Sequence, residues 1–140
     1  MKFTNDEFTE IAFIFEDYNG ASHGDFEKRI VKESKLTKYS IEELKSDIIK
    51  GLNSNFYLED SERLNAYWAL SKLNDKALIP LMRKWLKSEL KSSNHIPVFQ
   101  ILVALEKLEE PAFGQDRSSR YYDDMELNIR DAKNYLGYIK

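Results

Sequence analysis

A chain of 140 residues with 42% hydrophobic residues is long enough to bury the core of a single domain. Cysteine is missing, which excludes disulfides, zinc-thiolate sites and cysteine nucleophiles, and which fits a reducing compartment. The net charge of −3 argues against nucleic-acid binding, because domains that bind nucleic acid are usually basic.

The amino-terminal residues carry clear helix signals. Thr4 and Glu7 match a capping box, in which the hydroxyl accepts a bond from a free backbone N–H and the carboxylate reaches back. Apolar residues then recur at helical spacing as far as Tyr18, and the following Asn and Gly predict the helix end. A second helix is predicted from about Asp25, with three inward apolar side chains, Phe26, Ile30 and Val31.

A second capping box, Ser40 with Glu43, predicts the start of a third helix. The linker over residues 53–60 is polar apart from three side chains, which we expect to pack it onto the core: Phe56, Tyr57 and Leu58. Ser61 is the predicted N-cap of the next helix.

Asp75 is the predicted cap of a further helix. Pro80 lies five residues after that cap, which is late for a first-turn proline, so the pattern predicts a bend or a later start. Asn94 or His95 opens a strongly apolar helix that ends near Leu108.

The segment 109–120 contains Pro111, Gly114 and a polar run, and is predicted to be an irregular loop. Asp123 or Asp124 then caps a last helix from Leu127 to Tyr138, ended near Gly137. No alternating stretch bounded by hairpin turns indicates a strand. The sequence therefore predicts an all-α fold of about six to seven helices.

Charge is unevenly distributed along the chain. Residues 1–27 hold seven acidic residues against one lysine, residues 72–91 hold six basic against two acidic, and residues 106–131 hold eight acidic against four basic. Such blocks are typical of solvated helix faces, and they can also steer a charged partner.

A weak internal repeat links two segments. ALSKLNDKAL, from Ala69 to Leu78, aligns with ALEKLEEPAF, from Ala104 to Phe113, at an offset of 35 residues with five of ten positions identical. Stacked helical hairpins favour such recurrence, since each needs a neighbour to cover its apolar flank. Chance is the alternative, because Ala, Leu and Lys are common in helices.

The stretch LSKLNDKALIPLMRKWL, Leu70–Leu86, resembles the HEAT-repeat pattern of a leucine-rich helix end, an acidic turn and a second helix. The matching positions are Asp75, Ala77, Ile79, Pro80, Leu81 and Leu86. The spacing is shorter than is typical of that family, and the second copy departs after Phe113, so the match covers about a third of the chain. The resemblance implies stacked antiparallel helix pairs, a HEAT-like α-solenoid fragment forming one domain over residues 1–140.

The order of the carboxy-terminal part, with GQDRSSRYYDD followed by LNIRDAKNYLGYI, adds a second resemblance. It is similar to small bacterial HEAT-like proteins encoded beside polymorphic or contact-dependent growth inhibition toxins, which serve as immunity proteins. That resemblance implies a cognate toxin domain as partner, such as a basic nuclease, neutralised by occlusion of its active site. It brings no catalytic residue and no cofactor. The alternative is a generic HEAT-like scaffold or adaptor.

Catalytic and metal-binding patterns were not found. His23 and His95 are far apart, belong to no ligand motif and are predicted to face solvent. The chain has no P-loop and no nucleophile elbow, and its adjacent acids point apart on a helix. We therefore predict no catalytic, cofactor-binding or metal-binding residue, and a binding protein rather than an enzyme.

Membrane and nucleic-acid partners are also not expected. No apolar run approaches the roughly 20 residues that cross a bilayer, and the acidic start differs from a signal peptide, so we expect a cytoplasmic protein. Arg83, Lys84 and Lys87 form a basic block, but the neighbouring Trp85 is predicted to point into the core.

Partner-binding residues are predicted at the end of the first helix and in the carboxy-terminal loop. They are Asp17, Tyr18, Asp116, Arg117, Arg120, Tyr121, Tyr122, Asp123 and Asp124. Tyr and Arg are favoured at interfaces because each offers a large contact area with a polar tip. In the alternative interpretation, Tyr121 and Tyr122 pack against the last helix while Arg117 and Arg120 pair with nearby acids. The oligomeric state stays open.

Overall fold

The computed structural model describes residues 1–138, with the side chains of residues 1–137, and contains no strand in that range. Seven α-helices span these residues, which confirms the all-α prediction: α1 (Asn5–Tyr18), α2 (Asp25–Glu33), α3 (Ile41–Asn53), α4 (Asp60–Ser71), α5 (Ile79–Lys91), α6 (His95–Lys107) and α7 (Met125–Tyr138). Two short 3-10 turns, Lys35–Lys38 and Lys76–Leu78, precede α3 and α5.

The backbone contacts divide the chain into two compact units, unit 1 (Met1–Leu73) and unit 2 (Asn74–Lys140). Unit 1 contains α1 to α4 and unit 2 contains α5 to α7. The single domain over residues 1–140 stays a prediction beside this division.

The core of unit 1 is apolar and is built around α1, which packs against α2, α3 and α4. At its edge the rings of Phe3 and Tyr57 both meet Phe8 edge-on, with centroids 5.8 and 5.2 Å apart. The Phe3 backbone N–H donates to the Tyr57 hydroxyl at 3.0 Å, and burial raises the pKa of that hydroxyl. Gly51 leaves room for this ring, because a Cβ there would lie 2.7 Å from Tyr57 Cε2.

Of the three N-caps predicted in unit 1, two are confirmed. Both bonds of each capping box are present at Thr4 with Glu7 and at Ser40 with Glu43. The predicted cap at Ser61 is wrong, because α4 begins at Asp60. Glu59 is the N-cap, and its backbone N–H donates to the Glu62 carboxylate at 3.2 Å.

Burial in the second helix and in the linker was overestimated. Phe26 is 64% exposed and Leu58 is 77% exposed, and no residue of α2 is fully buried. Ile30 and Val31 are half-buried, and Tyr57 is the one buried side chain of the three expected to pack the linker. Helical spacing shows which side chains share a face, but a neighbouring element must also cover that face.

In unit 2, α6 packs against α5 and α7, and α5 also contacts α7. Trp85 of α5 is buried, as predicted. Asp75 caps the 3-10 turn rather than α5, accepting from the Ala77 backbone N–H at 3.0 Å. Pro80 is then the second residue of α5, so the predicted later helix start is confirmed and no N–H is lost from the helix interior.

The irregular loop predicted over residues 109–120 is present between α6 and α7. The last helix starts two residues before the predicted Leu127 and passes through Gly137 to Tyr138. Helix ends fray, so differences of one or two residues at either end are expected.

The two copies of the internal repeat share a backbone feature. Asn74 and Glu109, which occupy the same position in the alignment, both adopt left-handed backbone, with φ of 50° and 67°. Each follows the end of a helix, α4 or α6. After that point the copies differ, since Lys76–Leu78 forms a 3-10 turn where residues 111–113 form no helix.

Candidate partner-binding surface

A buried guanidinium ties the loop between α6 and α7 to α7. The side chain of Arg117 has no exposed surface, and its Nη1 donates to Asn128 Oδ1 at 2.7 Å and to Asp131 Oδ2 at 3.2 Å. Its Nη2 lies 3.6 Å from Asp124 Oδ2, and its guanidinium carbon sits 5.3 Å from the centre of the Phe113 ring. A charge placed this deeply needs such partners, because burying it alone is costly.

A second arginine, which is partly exposed to solvent, also binds the loop to α7. Arg130 of α7 donates two bonds of 2.8 Å to the Asp116 carboxylate, and its Nη2 also bonds Asp131 Oδ1 at 2.8 Å. Hydrogen bonds from Arg130 hold the pKa of Asp116 below its ordinary value. Burial would raise the pKa of Asp131, but the Gly114 backbone N–H and the two guanidiniums outweigh burial and lower it.

Glycine is required at position 114 because any side chain there would collide with its neighbours. A Cβ at this position would lie 2.7 Å from Arg130 Nη2, 2.7 Å from Asp116 Oδ1 and 2.9 Å from Asp131 Oδ1. Backbone and carboxylates can meet this closely because glycine leaves the space empty.

A polar triad holds the start of the same loop. The Tyr135 hydroxyl of α7 donates to Glu110 Oε1 at 2.6 Å and accepts from Arg83 Nε of α5 at 2.9 Å, while Arg83 also pairs with Glu110. The bond from Tyr135, followed by that from Arg83, lowers the pKa of Glu110. Burial and the bond to Glu110 raise the pKa of Tyr135 to about 12.

Three large apolar side chains stand exposed where the loop enters α7; Tyr121, Tyr122 and Met125 are termed the aromatic surface below. Tyr121 is 61% exposed and Tyr122 is 59% exposed. The Asn128 side-chain amide donates to the Tyr121 carbonyl at 3.0 Å, so the backbone is fixed while the rings face outward. The expectation that the two tyrosines pack against the last helix is therefore wrong, because both side chains are mostly exposed.

Acidic side chains flank the aromatic surface. Asp123 and Glu126 are exposed and have no cationic side chain within ion-pair distance in the described part of the chain. The loop's own arginines are engaged elsewhere, since Arg120 pairs with Glu106 at 3.0 Å and Arg117 is buried. The alternative interpretation, in which Arg117 and Arg120 pair with nearby acids, is confirmed, and the prediction that Arg117 binds a partner is wrong because its side chain has no exposed surface.

Asp17 and Tyr18, also predicted to bind a partner, lie at the end of α1 in unit 1 and are exposed. The Asp17 carbonyl accepts from the Gly20 backbone N–H at 3.0 Å. Their place in the same binding site as the aromatic surface stays a prediction.

The residues that frame the loop were missed in the sequence. Asn128, Asp131 and Tyr135 follow one another at intervals of three and four residues, and all three are buried on α7. Polar residues repeated along the apolar stripe of a helix are the signal that could have found them, because buried polar groups need partners.

The histidines form no site with other ligands. His23 was expected to face solvent, but its side chain is 6% exposed, with Nε2 3.5 Å from Glu16 Oε1 and its ring edge-on to Phe13. His95 is half-buried. Among the described residues no group of three or more His, Asp or Glu side chains is arranged to hold a metal ion, and no helix is long and apolar enough to cross a bilayer.

Comparisons with protein-family models, with curated proteins and with solved structures find no match for this chain. The resemblance to HEAT-like immunity proteins therefore stays a prediction from the sequence.

Proposed function

We propose that this protein binds a cognate bacterial toxin domain through the aromatic surface and neutralises it by covering its active site. The observation that carries the proposal is the exposure of Tyr121 and Tyr122 on a loop whose backbone is fixed by buried charged groups. Exposed tyrosines on a mobile loop would have to be ordered on binding, whereas this loop is already tied to α7 at Asn128 and Asp131.

The physical advantage of such a loop is a smaller entropic cost of association. Each immobilised flexible side chain or loop lowers affinity, and a fixed backbone avoids part of that cost. Tyrosine adds a large contact area with few rotatable bonds. Asp123 and Glu126, free of cationic partners in the described residues, favour a basic protein surface and speed its approach.

The test uses the protein encoded by the adjacent open reading frame, which the proposal expects to carry a toxin domain. We expect a complex in gel filtration and growth protection of cells that express both proteins. Tyr121→Ala combined with Tyr122→Ala should weaken binding by about 30-fold or more, since interface anchors typically contribute about 2 kcal/mol or more. Leu58→Ala, which removes an exposed leucine of unit 1, is the matched control and should leave binding unchanged.

Two results would separate the proposal from its alternative, an adaptor protein. A complex without growth protection would favour the adaptor. Equal binding by the double tyrosine variant and the wild type would exclude the aromatic surface. Tyr18→Ala asks whether the end of α1 belongs to the same interface, in which case it should also weaken the complex.

A further inference from the structure

The second helix of unit 1 contributes little to the core, and residues 25–38, from α2 through the next 3-10 turn, hold five basic against three acidic side chains. No residue of α2 is fully buried, and it packs against α1. From α2 through the next 3-10 turn, five basic side chains are all exposed: Lys28, Arg29, Lys32, Lys35 and Lys38. We call these five residues the basic surface. Because these five side chains do not pack into the core, we look for their role in binding at the protein surface.

None of these five cations has a carboxylate within ion-pair distance in the described part of the chain. The other five arginines are all paired with carboxylates: Arg63, Arg83, Arg117, Arg120 and Arg130. Arg29 thus differs from every other arginine of the protein. The protein pairs the guanidiniums that organise its loops and leaves unpaired the single guanidinium on α2.

The basic side chains are also arranged together. Lys28 and Lys32 are four residues apart, and Arg29 and Lys32 three, so these three lie on one face of α2. Phe26, 64% exposed, is the second residue of the same helix. It lies three residues before Arg29, so these two side chains are neighbours on the helix surface and place an apolar group beside a charge.

We propose that the basic surface binds an acidic segment of a second protein, with Phe26 contacting an apolar side chain of that segment. Complementary charge attracts the segment at distances up to about the Debye length, roughly 8 Å at physiological salt. This site shares no residue with the aromatic surface and attracts a partner of the opposite charge, so it does not depend on the toxin proposal.

Nucleic acid fits this surface less well than a short peptide does. Acidic groups border the cations, because a groove of about 440 Å³ beside α2 is lined by Asp6, Glu10 and Glu33. A long phosphate strand would run past these carboxylates and be repelled. A peptide with a few acidic side chains can contact the cations and avoid them.

A membrane surface fits less well for a different reason. Helices that lie in a bilayer interface bury a broad apolar face among the lipids. On α2 the one large apolar side chain that is mostly exposed is Phe26, since Ile30 and Val31 are half-buried. A single phenylalanine does not supply such a face.

The test measures fluorescence anisotropy of a labelled decapeptide with three Asp or Glu residues, one central Phe and otherwise Gly and Ser. We expect binding at 50 mM salt that weakens at 200 mM. The triple variant Lys28→Gln, Arg29→Gln, Lys32→Gln should lose about tenfold or more in affinity. The control variant Lys87→Gln, Lys91→Gln, Lys133→Gln removes three exposed cations from unit 2 and should bind as the wild type does.

Several outcomes would overturn the proposal. Equal losses in the two triple variants would show that net charge, and not the basic surface, governs binding. Tighter binding of a 20-nucleotide oligothymidylate, or of vesicles containing phosphatidylserine, would replace the acidic protein segment with nucleic acid or a membrane. Circular dichroism verifies that both variants remain helical, and since all six side chains are exposed, neither change disturbs the core.

Discussion

The two units of this protein place their polar groups differently. In unit 1 the buried side chains are apolar apart from groups such as the hydroxyls of Ser34, Ser71 and Tyr57 and the ring of His23, and carboxylates act at helix starts. In unit 2 the side chains of Arg117 and Asp131 are buried together, with Asn128 beside them. Unit 1 is thus stabilised by apolar contacts that need no particular direction. In unit 2, buried charged side chains form directional hydrogen bonds that hold one loop.

That difference teaches what a buried ion pair does here. Replacing such a pair with apolar side chains often leaves stability unchanged or improves it, so the pair is weak evidence of stabilisation. Its hydrogen bonds do have fixed directions, and they determine where the backbone of residues 114–124 lies. The aromatic surface is the part of the molecule positioned in this way, which is why it is the better candidate for recognition.

The largest expected effect comes from breaking the charged centre of unit 2. Arg117→Met should lower the free energy of unfolding by about 3 kcal/mol, because it leaves Asp131 buried with one fewer partner. Arg120→Met, an exposed pair with Glu106, is the control and should cost less than about 1 kcal/mol.

The chain has two tryptophans, one in each unit, so urea unfolding can be followed in unit 2 alone. Trp68→Phe leaves Trp85 as the probe of unit 2. Similar unfolding midpoints for the Arg117 and Arg120 variants would contradict the idea that buried charge organises this unit.

A smaller effect is expected from crowding the apolar core of unit 1. Gly51→Ala normally favours a helix by up to about 1 kcal/mol, but here the added Cβ would lie 2.7 Å from Tyr57. The clash should dominate and destabilise unit 1 by about 1 to 3 kcal/mol. Trp85→Phe leaves Trp68 to report it in urea unfolding.

Gly137→Ala is the matched control, since nothing lies within 4 Å of a Cβ at that position of α7. It should leave stability unchanged or raise it slightly. Stabilisation by both alanines would show that Tyr57 moves aside easily and that the edge of the unit 1 core is not tightly packed.

The smallest expected effect is a dependence of unit 2 on acid. The pKa values of Glu110 and Asp131 are lowered in the folded protein, so their contribution is present above their ordinary values of 4.5 and 3.8. It is lost as pH falls through the lowered folded values. Trp85 fluorescence should therefore show a falling urea midpoint below about pH 4.5.

Glu110→Gln should reduce that acid dependence, because it removes one of the carboxylates whose pKa is lowered in the folded protein. Glu109→Gln, at an exposed neighbour paired with Lys76, should retain it. An unchanged pH profile in the Glu110 variant would mean that the triad with Tyr135 and Arg83 adds nothing to the stability of unit 2.

Local signals in the sequence predicted much of the fold. The capping boxes at Thr4 and Ser40 and the late Pro80 need only a few neighbouring residues, and these helix starts were predicted correctly. The predicted N-cap at Ser61 was wrong because the N-cap is Glu59, two residues earlier, whose backbone N–H donates to the Glu62 carboxylate. Helical periodicity could not show that the face bearing Phe26 lacks a cover.

The candidate site was predicted less completely, for a physical reason. The tyrosines and arginines of the loop stood out by type, but the burial of Arg117 depends on Asn128 and Asp131, which lie 11 and 14 residues away on α7. Which polar side chains face each other across that distance is decided by how α7 packs, and not by spacing within the loop. Whether the surface binds a toxin stays a prediction.

Five helix ends in the described residues share the left-handed residue described for the repeat: Gly20, Asn55, Asn74, Ser93 and Glu109 all have positive φ. Glycine accepts this conformation without the steric penalty of roughly 1 to 2 kcal/mol that other residues incur, with asparagine the least affected. Replacing Ser93 or Glu109 with glycine should therefore remove this penalty and raise the free energy of unfolding. Ser93→Gly is thus a way to stabilise the protein that leaves the buried charges of unit 2 unchanged.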